Sequence, residues 1–431
     1  MSESRDTRVS RRQFVGSAAA AATITILKPS IVFGTQANSA VRLGVLGCGG
    51  RGLGVTSSFL ENTGAVVTAI GDIFQDNLAN GKKTLDQVSA KFGKPAIETG
   101  RMFGGPKAYE QLFASKDIDA VYIATPPYFH PMHLEAALAA GKHTYLEKPV
   151  SVDVPGAKKV MALGEKVKGG KQSLAVGFQI RYASPYVELE KRIRQGQIGD
   201  FVSGQIHYFA SALRRPPVPK ATPAELRLRN WVWDRVLSGD IIVEQNCHII
   251  DVTNWLINAH PVKAVGTGGR RGRTDGGDAW SHFNCVFTYP NDVHVGFGST
   301  QFGTSAWGVG MQYYGTKGAA EARYDAPVRI AGETKWEFPG LGKPATVSQA
   351  DAQTGRFSGA LDDADRNKQK AFIDSITSGK LVNDAQYGAE STLTSIIGRT
   401  AAYTGREVTW DEMMKSNEVW DPKMDFGQFG K

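Results

Sequence analysis

Residues 41–52 read Val41-Arg-Leu-Gly-Val-Leu46-Gly47-Cys48-Gly49-Gly50-Arg51-Gly52. The first six are a short, mostly apolar run of the kind that forms a buried parallel strand. The next six match G-x-G-x-x-G. Leu53 to Leu60 then reads as a helix start, and a second apolar run, Ala65–Ile70, leads to Asp72, 20 residues beyond Gly52. Strand, glycine turn, helix, strand and acid, in that order, are the context a dinucleotide-binding βαβ unit demands. Gly47 permits the tight turn, Gly49 and Gly50 let a pyrophosphate approach the backbone beside Arg51, and Gly52 lets helix and strand pack closely. The helix N-terminus offers N–H groups and a positive dipole to phosphate. Asp72 would accept from the adenosine ribose hydroxyls and repel a 2′-phosphate, so NAD is expected over NADP. It is also a good residue to cap the next helix, and the two roles are compatible.

The alternation continues outward. Ile118–Ala124 reads as a strand broken by Thr125-Pro126-Pro127, Pro131–Ala140 as a helix stopped at Gly141, and His143–Leu146 as a strand ending in Glu147-Lys148-Pro149. A helical stretch near Ala157–Val167 and a sixth strand at Ser173–Phe178 complete a doubly wound α/β domain over residues 41–180. Farther on, Ser281–Tyr289 and Val293–Phe302 are strand-like around the turn Pro290-Asn291-Asp292. Met311–Tyr314 and Ala319–Tyr324 flank Gly315–Gly318, a second hairpin candidate. Ala364–Thr377 and Gln386–Tyr403 read as helices with stops at Gly379 and Gly405, and 335–362 as a long surface loop.

Composition narrows the function. The chain has 431 residues, 41% hydrophobic and 21% charged, ordinary values for a globular protein. A net charge of +8 without a dense basic stripe gives no reason to expect nucleic acid; Arg270, Arg271 and Arg273 read as a solvated loop. No apolar run is long enough to span a bilayer. Three cysteines, Cys48, Cys247 and Cys285, form neither a CxxC pair nor a disulfide framework and are expected reduced and buried. There is no GxSxG, Walker or cysteine-nucleophile signature. Residues 1–39 carry Arg11-Arg12, an Ala/Thr-rich core from Gly16 to Leu27, and small residues at Ala37 and Ser39. That layout is an export signal, and the paired arginines make it resemble a twin-arginine (Tat) signal, implying periplasmic delivery in the folded state.

The glycine loop, Thr125-Pro126 with His130, Ala140-Gly-Lys-His143, Glu147-Lys148-Pro149, Gly177-Phe-Gln-Ile-Arg181-Tyr182, His248-Ile-Ile-Asp251, Gly315-Thr-Lys-Gly318 and Ile397–Tyr403 together resemble the Gfo/Idh/MocA family of oxidoreductases. The likeness covers roughly residues 41–415, and Glu-Lys-Pro at a strand end is its most specific motif. The resemblance implies a Rossmann domain followed, over 181–431, by an α+β domain with an open, mainly antiparallel sheet that often serves oligomerisation, here as a homodimer or homotetramer. It implies NAD as cofactor and a sugar, glycoside or cyclitol as substrate.

The chemistry needs a hydride donor close to the nicotinamide and a group to manage the hydroxyl proton. By resemblance Lys148 hydrogen-bonds the reacting hydroxyl and His248 is the acid/base. Glu244 stands where many members have Asp. If residues 244–251 are one helix, Glu244 and His248 share a face, with Asp251 a turn further. Thr125, Pro126, His130 and Glu147 would line the dinucleotide groove. Gln179, Arg181, Tyr182 and Asp251 would reach substrate, and Trp231, Trp233 and Asp234 suit a sugar's apolar face and hydroxyls as well as they suit a core. Glu244, His248 and Asp251 could instead ligate a metal, but no further ligand cluster accompanies them and none is expected. Two other functions stay open: a glycoside hydrolase or lyase working by transient oxidation, elimination and re-reduction, and a non-catalytic sugar-binding or redox-sensing protein.

Overall fold

The structure, a computed structural model, describes residues 40–430 other than 214–216, 275, 304–307, 326 and 342–356. The expected signal at 1–39 and the middle of the expected loop at 335–362 lie outside the described residues. Six strands form the first sheet: β1 (Arg42–Leu46), β2 (Val66–Asp72), β3 (Met102–Gly104), β4 (Ala120–Ile123), β5 (His143–Leu146) and β6 (Leu174–Val176). All pair in parallel, in the order β3-β2-β1-β4-β5-β6. Five helices connect them: α1 (Gly50–Asn62), α2 (Gln75–Lys91), α3 (Ala108–Ala114), α4 (His130–Ala139) and α5 (Val154–Val167). Crossover helices cover the sheet, so its strands are buried on both faces and run apolar without alternation. Leu43, Val45 and Leu46 of β1 and all of β4 are buried.

The second sheet has nine strands: β7 (Phe201–Ala210), β8 (Lys263–Gly269), β9 (His282–Tyr289), β10 (Val293–Gln301), β11 (Gly308–Gly315), β12 (Gly318–Arg323), β13 (Arg329–Gly332), β14 (Trp336–Glu337) and β15 (Val408–Thr409). Their order is β14-β13-β12-β11-β7-β10-β9-β8-β15. Only the β7–β10 pair is parallel; the other pairs are antiparallel. The sheet alternates: Phe283, Cys285, Phe287 and Tyr289 of β9 point into the core while Asn284 and Val286 point out. Part of the expected 335–362 loop is instead edge strand, with Ile330 opposite Trp336.

Helices α6 (Ser184–Arg194), α7 (Pro223–Arg229), α8 (Arg235–Ser238), α9 (Ile241–Glu244), α10 (Cys247–Ile257), α11 (Ala364–Ser378), α12 (Ala385–Thr404) and α13 (Trp410–Met414) complete the fold. The long helix α12 joins the two sheets. A Cβ on Gly388 would lie 2.9 Å from Val176 of β6, and one on Gly398 would lie 2.7 Å from the ring of Phe287 on β9. Glycine at these positions lets one helix approach both. Helix α11 reaches back in the same way and packs on α1.

Candidate active site

The glycine loop leaves β1 at Gly47, whose φ of +100° only glycine adopts without strain. A Cβ on Gly52 would sit 1.9 Å from the Gly47 carbonyl oxygen, so this glycine is needed for the strand and helix to touch. Cβ atoms on Gly49 and Gly50 would meet nothing within 4 Å. Those two positions face open space at the N-terminus of α1, where no side chain caps the helix and its first turn carries no acid. An uncapped, unhindered helix N-terminus at the β1/β4 switch point fits a dinucleotide pyrophosphate.

Asp72 ends β2 almost fully buried. Its carboxylate accepts from Cys48 N at 2.7 Å, Phe74 N at 2.9 Å and Asn77 Nδ2 at 3.2 Å. Three of about four acceptor sites are therefore taken, leaving room for one ribose hydroxyl while the acid braces the glycine loop and the start of α2. Burial raises its pKa against those three donors.

Arg51 does not face the open space. Its Nε lies 3.1 Å from Glu147 Oε1, one terminal nitrogen donates to Gln179 Oε1 at 3.0 Å, and both reach Asp365 at 3.2 Å. Asp365 also pairs, at 3.2 Å, with the buried Lys368. Arg51, expected at the cofactor, and Gln179, expected at the substrate, both join an internal network tying glycine loop, Glu-Lys-Pro motif and α11. Opposed to burial, Arg51 and Lys368 hold the Asp365 carboxyl down to about 2. Asp365 and Lys368 were not singled out from sequence. Their only signal is an acid and a base three apart on the expected helix.

Glu147 accepts from Arg51 and from Tyr122 Oη at 3.0 Å through Oε1, while Oε2 is buried without a partner. Lys148 follows, and its Nζ donates to the Glu244 carbonyl at 2.7 Å and lies 3.8 Å from Glu244 Oε1. That carbonyl is free because the expected single helix over 244–251 is broken: α9 ends at Glu244 and α10 begins at Cys247. A lysine is well suited to a helix C-terminal carbonyl. His248 lies in the first turn of α10, 7% exposed, with Nδ1 buried and unpaired. Burial, then the charges of Lys148, Arg51 and Lys368, hold its pKa well below the usual imidazole range. Burial pushes the Glu244 carboxyl up, opposed by Lys148. Buried polar atoms without partners are rare, and both Glu147 Oε2 and His248 Nδ1 are such atoms. Lys148 touches Glu244, and its charge is felt by His248, which follows Glu244 by four residues.

Other expected site residues are committed elsewhere. His130 is buried with Nδ1 2.6 Å from the Pro149 carbonyl and Nε2 2.7 Å from the Thr125 carbonyl, so it latches the β4 loop to the Glu-Lys-Pro loop and has no nitrogen left for a cofactor. The Thr125 hydroxyl lies 3.0 Å from His133 Nδ1. Pro126 starts the short turn Pro127–Phe129. Asp251 is fully buried, held by Arg181 through three contacts of 2.8–3.1 Å and by Ser391 at 2.7 Å. The Arg181 guanidinium stacks 3.9 Å from the Tyr387 ring, and Tyr182 neighbours the same tyrosine. Arg181, Tyr182 and Asp251 thus brace one another around Tyr387. Asp234 caps α8 through Val236 N and Leu237 N and pairs with Arg227 at 2.7 Å. Trp233 is buried, and Trp231 packs in an apolar cluster around Phe74, Leu228 and Leu237. A cleft of about 680 Å³ between α6 and β14, lined by Arg181, Tyr182 and Trp336, touches none of Lys148, Glu244 and His248. Among the described residues no three His, Cys, Asp or Glu side chains gather as for a metal, and no helix is long and apolar enough to cross a membrane. All three cysteines are free and buried.

A Rossmann sheet with an open glycine cradle, joined to a mainly antiparallel sheet, defines a class of dinucleotide-binding oxidoreductase. The comparisons give the family. The Gfo/Idh/MocA profile described as an oxidoreductase family with an NAD-binding Rossmann fold matches residues 41–177, and the family's C-terminal-domain profile matches 186–321. The chain belongs to the Gfo/Idh/MocA family. A glycosyl hydrolase family 109 protein from Streptomyces coelicolor is 30% identical over 172 residues, 40% of this chain but only 34% of that relative's length. Inositol 2-dehydrogenase from Rhizobium meliloti is 25% identical over 293 residues, 67% of this chain and 78% of that one. The structure of scyllo-inositol dehydrogenase from Lactobacillus casei with NAD(H) and scyllo-inositol bound superposes with a TM-score of 0.64 over 86% of this chain and 99% of that one, at 19% identity.

Proposed function

We propose that the protein transfers hydride between a tightly held NAD and a secondary alcohol of a sugar, glycoside or cyclitol. The observation that carries this is the convergence of Lys148, Glu244 and His248, with the Lys148 ammonium 2.7 Å from the Glu244 carbonyl, in a chain whose glycine cradle is open. Bound NAD would supply the hydride acceptor, held by the loop 47–52 and Asp72. The chain's own residues manage the rest. Lys148 Nζ, a donor with three protons, orients the substrate oxygen. His248 is held neutral, the form that accepts a proton, and with Nδ1 sealed its Nε2 is the nitrogen left to face substrate. Oxidation then moves one hydride off the carbon and one proton from the hydroxyl to His248, leaving a ketone. The inositol dehydrogenase relatives support this reading. In the same proposal, residues 1–39 direct Tat-type export to the periplasm, and a homodimer or homotetramer forms through the open sheet face.

The glycosyl hydrolase family 109 relatives favour a second reading, in which the ketone is transient, the glycosidic bond is eliminated, and re-reduction returns the hydride. Glu244, with its raised carboxyl pKa, would protonate the leaving oxygen. One experiment tests both. Purified protein is denatured without added nucleotide and the released NAD(H) is quantified; intact protein is then offered cyclitols, sugars and chromogenic glycosides. Near-stoichiometric NAD(H) with ketone formation supports the first reading. Released aglycone without a second redox substrate supports the second. An empty protein that neither binds NAD nor oxidises any of these alcohols overturns both.

A further inference from the structure

The chain's last described residues return to the rim of the dinucleotide site. After α13, Trp420 N donates to Asp153 Oδ2 at 2.9 Å and its ring lies 3.8 Å below the Arg399 guanidinium. The Pro422 carbonyl accepts from Arg227 at 3.0 Å. Phe426 then packs on Phe129, ring centroids 5.0 Å apart, and on Tyr128 at 6.3 Å, while Phe429 packs edge-on against Phe74 at 5.8 Å. Phe74 stands two residues past Asp72, in the loop leaving β2. Tyr128 and Phe129 stand in the loop leaving β4. Since β2 and β4 flank β1, a segment touching both loops passes across the end of β1, from which the glycine loop springs. A second element fastens the same loop: Arg229 of α7 pairs with Asp76 at 2.9 and 3.0 Å and lies 3.8 Å over the Phe74 ring. The Trp231 side chain packs into this cluster as well.

We propose that Trp420–Phe429, clamped with Arg229, is a retaining strap that closes the Asp72 side of the dinucleotide site and slows NAD(H) release between turnovers. This rests on the NAD reading above and adds the means of retention. Aromatic pairs contribute beyond the area they bury, and here the segment stays across the two loops while both its Phe74 anchor and its Tyr128–Phe129 anchor hold.

The test is the NADH release rate of the full-length protein, followed by loss of protein-to-NADH energy transfer after mixing with excess unlabelled NAD. It is compared with Phe426→Ala/Phe429→Ala and, as a variant that leaves the tail intact, Arg229→Gln. Circular dichroism and thermal melting check folding. Release should quicken about tenfold or more in the double variant, the equivalent of one lost aromatic pair or two, and by a smaller factor in Arg229→Gln. Unchanged release in both folded variants overturns the strap and leaves the NAD reading standing. A wild-type protein that binds no NADH overturns the two together.

Discussion

The two sheets solve the same burial problem differently. The six-stranded sheet is parallel and wrapped on both faces, so most of its strand residues are apolar, and the polar groups of the site gather at the carboxyl ends of the strands and in the loops beyond them. The nine-stranded sheet is covered on one face by α10 and α12. On its other face Val265 and Val286 sit opposite each other, both exposed, as are Phe209 of β7 and Tyr314 of β11. The first sheet places residues; the second carries α10, whose first turn holds His248. The site therefore depends on contacts between the halves, above all Lys148 to Glu244 and Arg51 to Asp365.

The largest effect should come from the first contact. Lys148→Met keeps the length of the side chain and removes the charge and three donors. Turnover should fall by about a thousandfold, the scale of losing a positioned acid–base partner, while the glycine loop still retains NAD(H). Turnover within a few-fold of wild type would detach Lys148 from the chemistry and leave only its helix-end contact.

Asp365→Ala tests the second contact. It removes the ion pair of the buried Lys368 and one of the two carboxylates on Arg51, which keeps Glu147 and Gln179, and breaking a buried pair costs about 3 kcal/mol or more. Denaturant unfolding should report that loss together with weaker NAD binding, since Arg51 sits in the glycine loop. A loss within experimental error would mean that the Arg51–Asp365 contact adds nothing to holding the halves together.

The contrast between the halves also explains what could be read in advance. The β1–α1–β2 unit is local: its strand, glycines and acid lie within about 30 residues and follow a known order, so Gly47, Gly52 and Asp72 stand where the spacing puts them. β5 and Glu147-Lys148-Pro149 were legible for the same reason. Partnerships between distant residues were not. Arg51 and Asp365 are 314 positions apart, and nothing in either neighbourhood says that a glycine-loop arginine turns inward. The break at Gln245-Asn246 was hidden because Glu244, His248 and Asp251 keep helical spacing on paper. For Arg181, Asp234 and His130 the sequence offers no choice between ligand contact and structural bracing, because polar residues near a motif suit both until their partners are known. The short strands β13–β15 take their character from neighbours, as strand propensity generally does.

A pH series probes the strand-end loops. Burial holds His133 at about 3 and His130 at about 4, against about 6.5 in an unfolded chain. His133 is neutral when folded, so between pH 6.5 and 4 the unfolded chain binds more protons at this residue and its contribution to stability falls as the solution is acidified. Each such histidine contributes a slope of up to about 1.4 kcal/mol per pH unit. Asp384, raised to about 6 by burial, works in the opposite sense over the same interval, since its folded form takes up the proton first. Burial also pushes the pKa values of His143, His207 and His248 down and those of Asp72, Asp240 and Glu244 up, so the separable quantity is the contribution of one imidazole. His133→Gln should lose less melting temperature between pH 7 and 5 than the wild type does. An unchanged difference between the two pH values would remove His133 from the balance.

The smallest effect separates bracing from binding in the region where sequence offered no choice between them. Asp234 bonds Val236 N at 3.0 Å and Leu237 N at 3.1 Å, and its other oxygen holds Arg227. If that is its whole role, Asp234→Ala removes a helix cap and costs about 1 kcal/mol of stability. The Michaelis constant for the alcohol substrate should not move, because no part of the carboxylate is left over to meet a hydroxyl. Asp234→Asn should recover most of the stability, since the amide oxygen can still accept from the two backbone N–H groups. A variant that melts normally but binds substrate several-fold more weakly would reverse the assignment, and would return the neighbouring Trp231 to the list of residues that touch sugar.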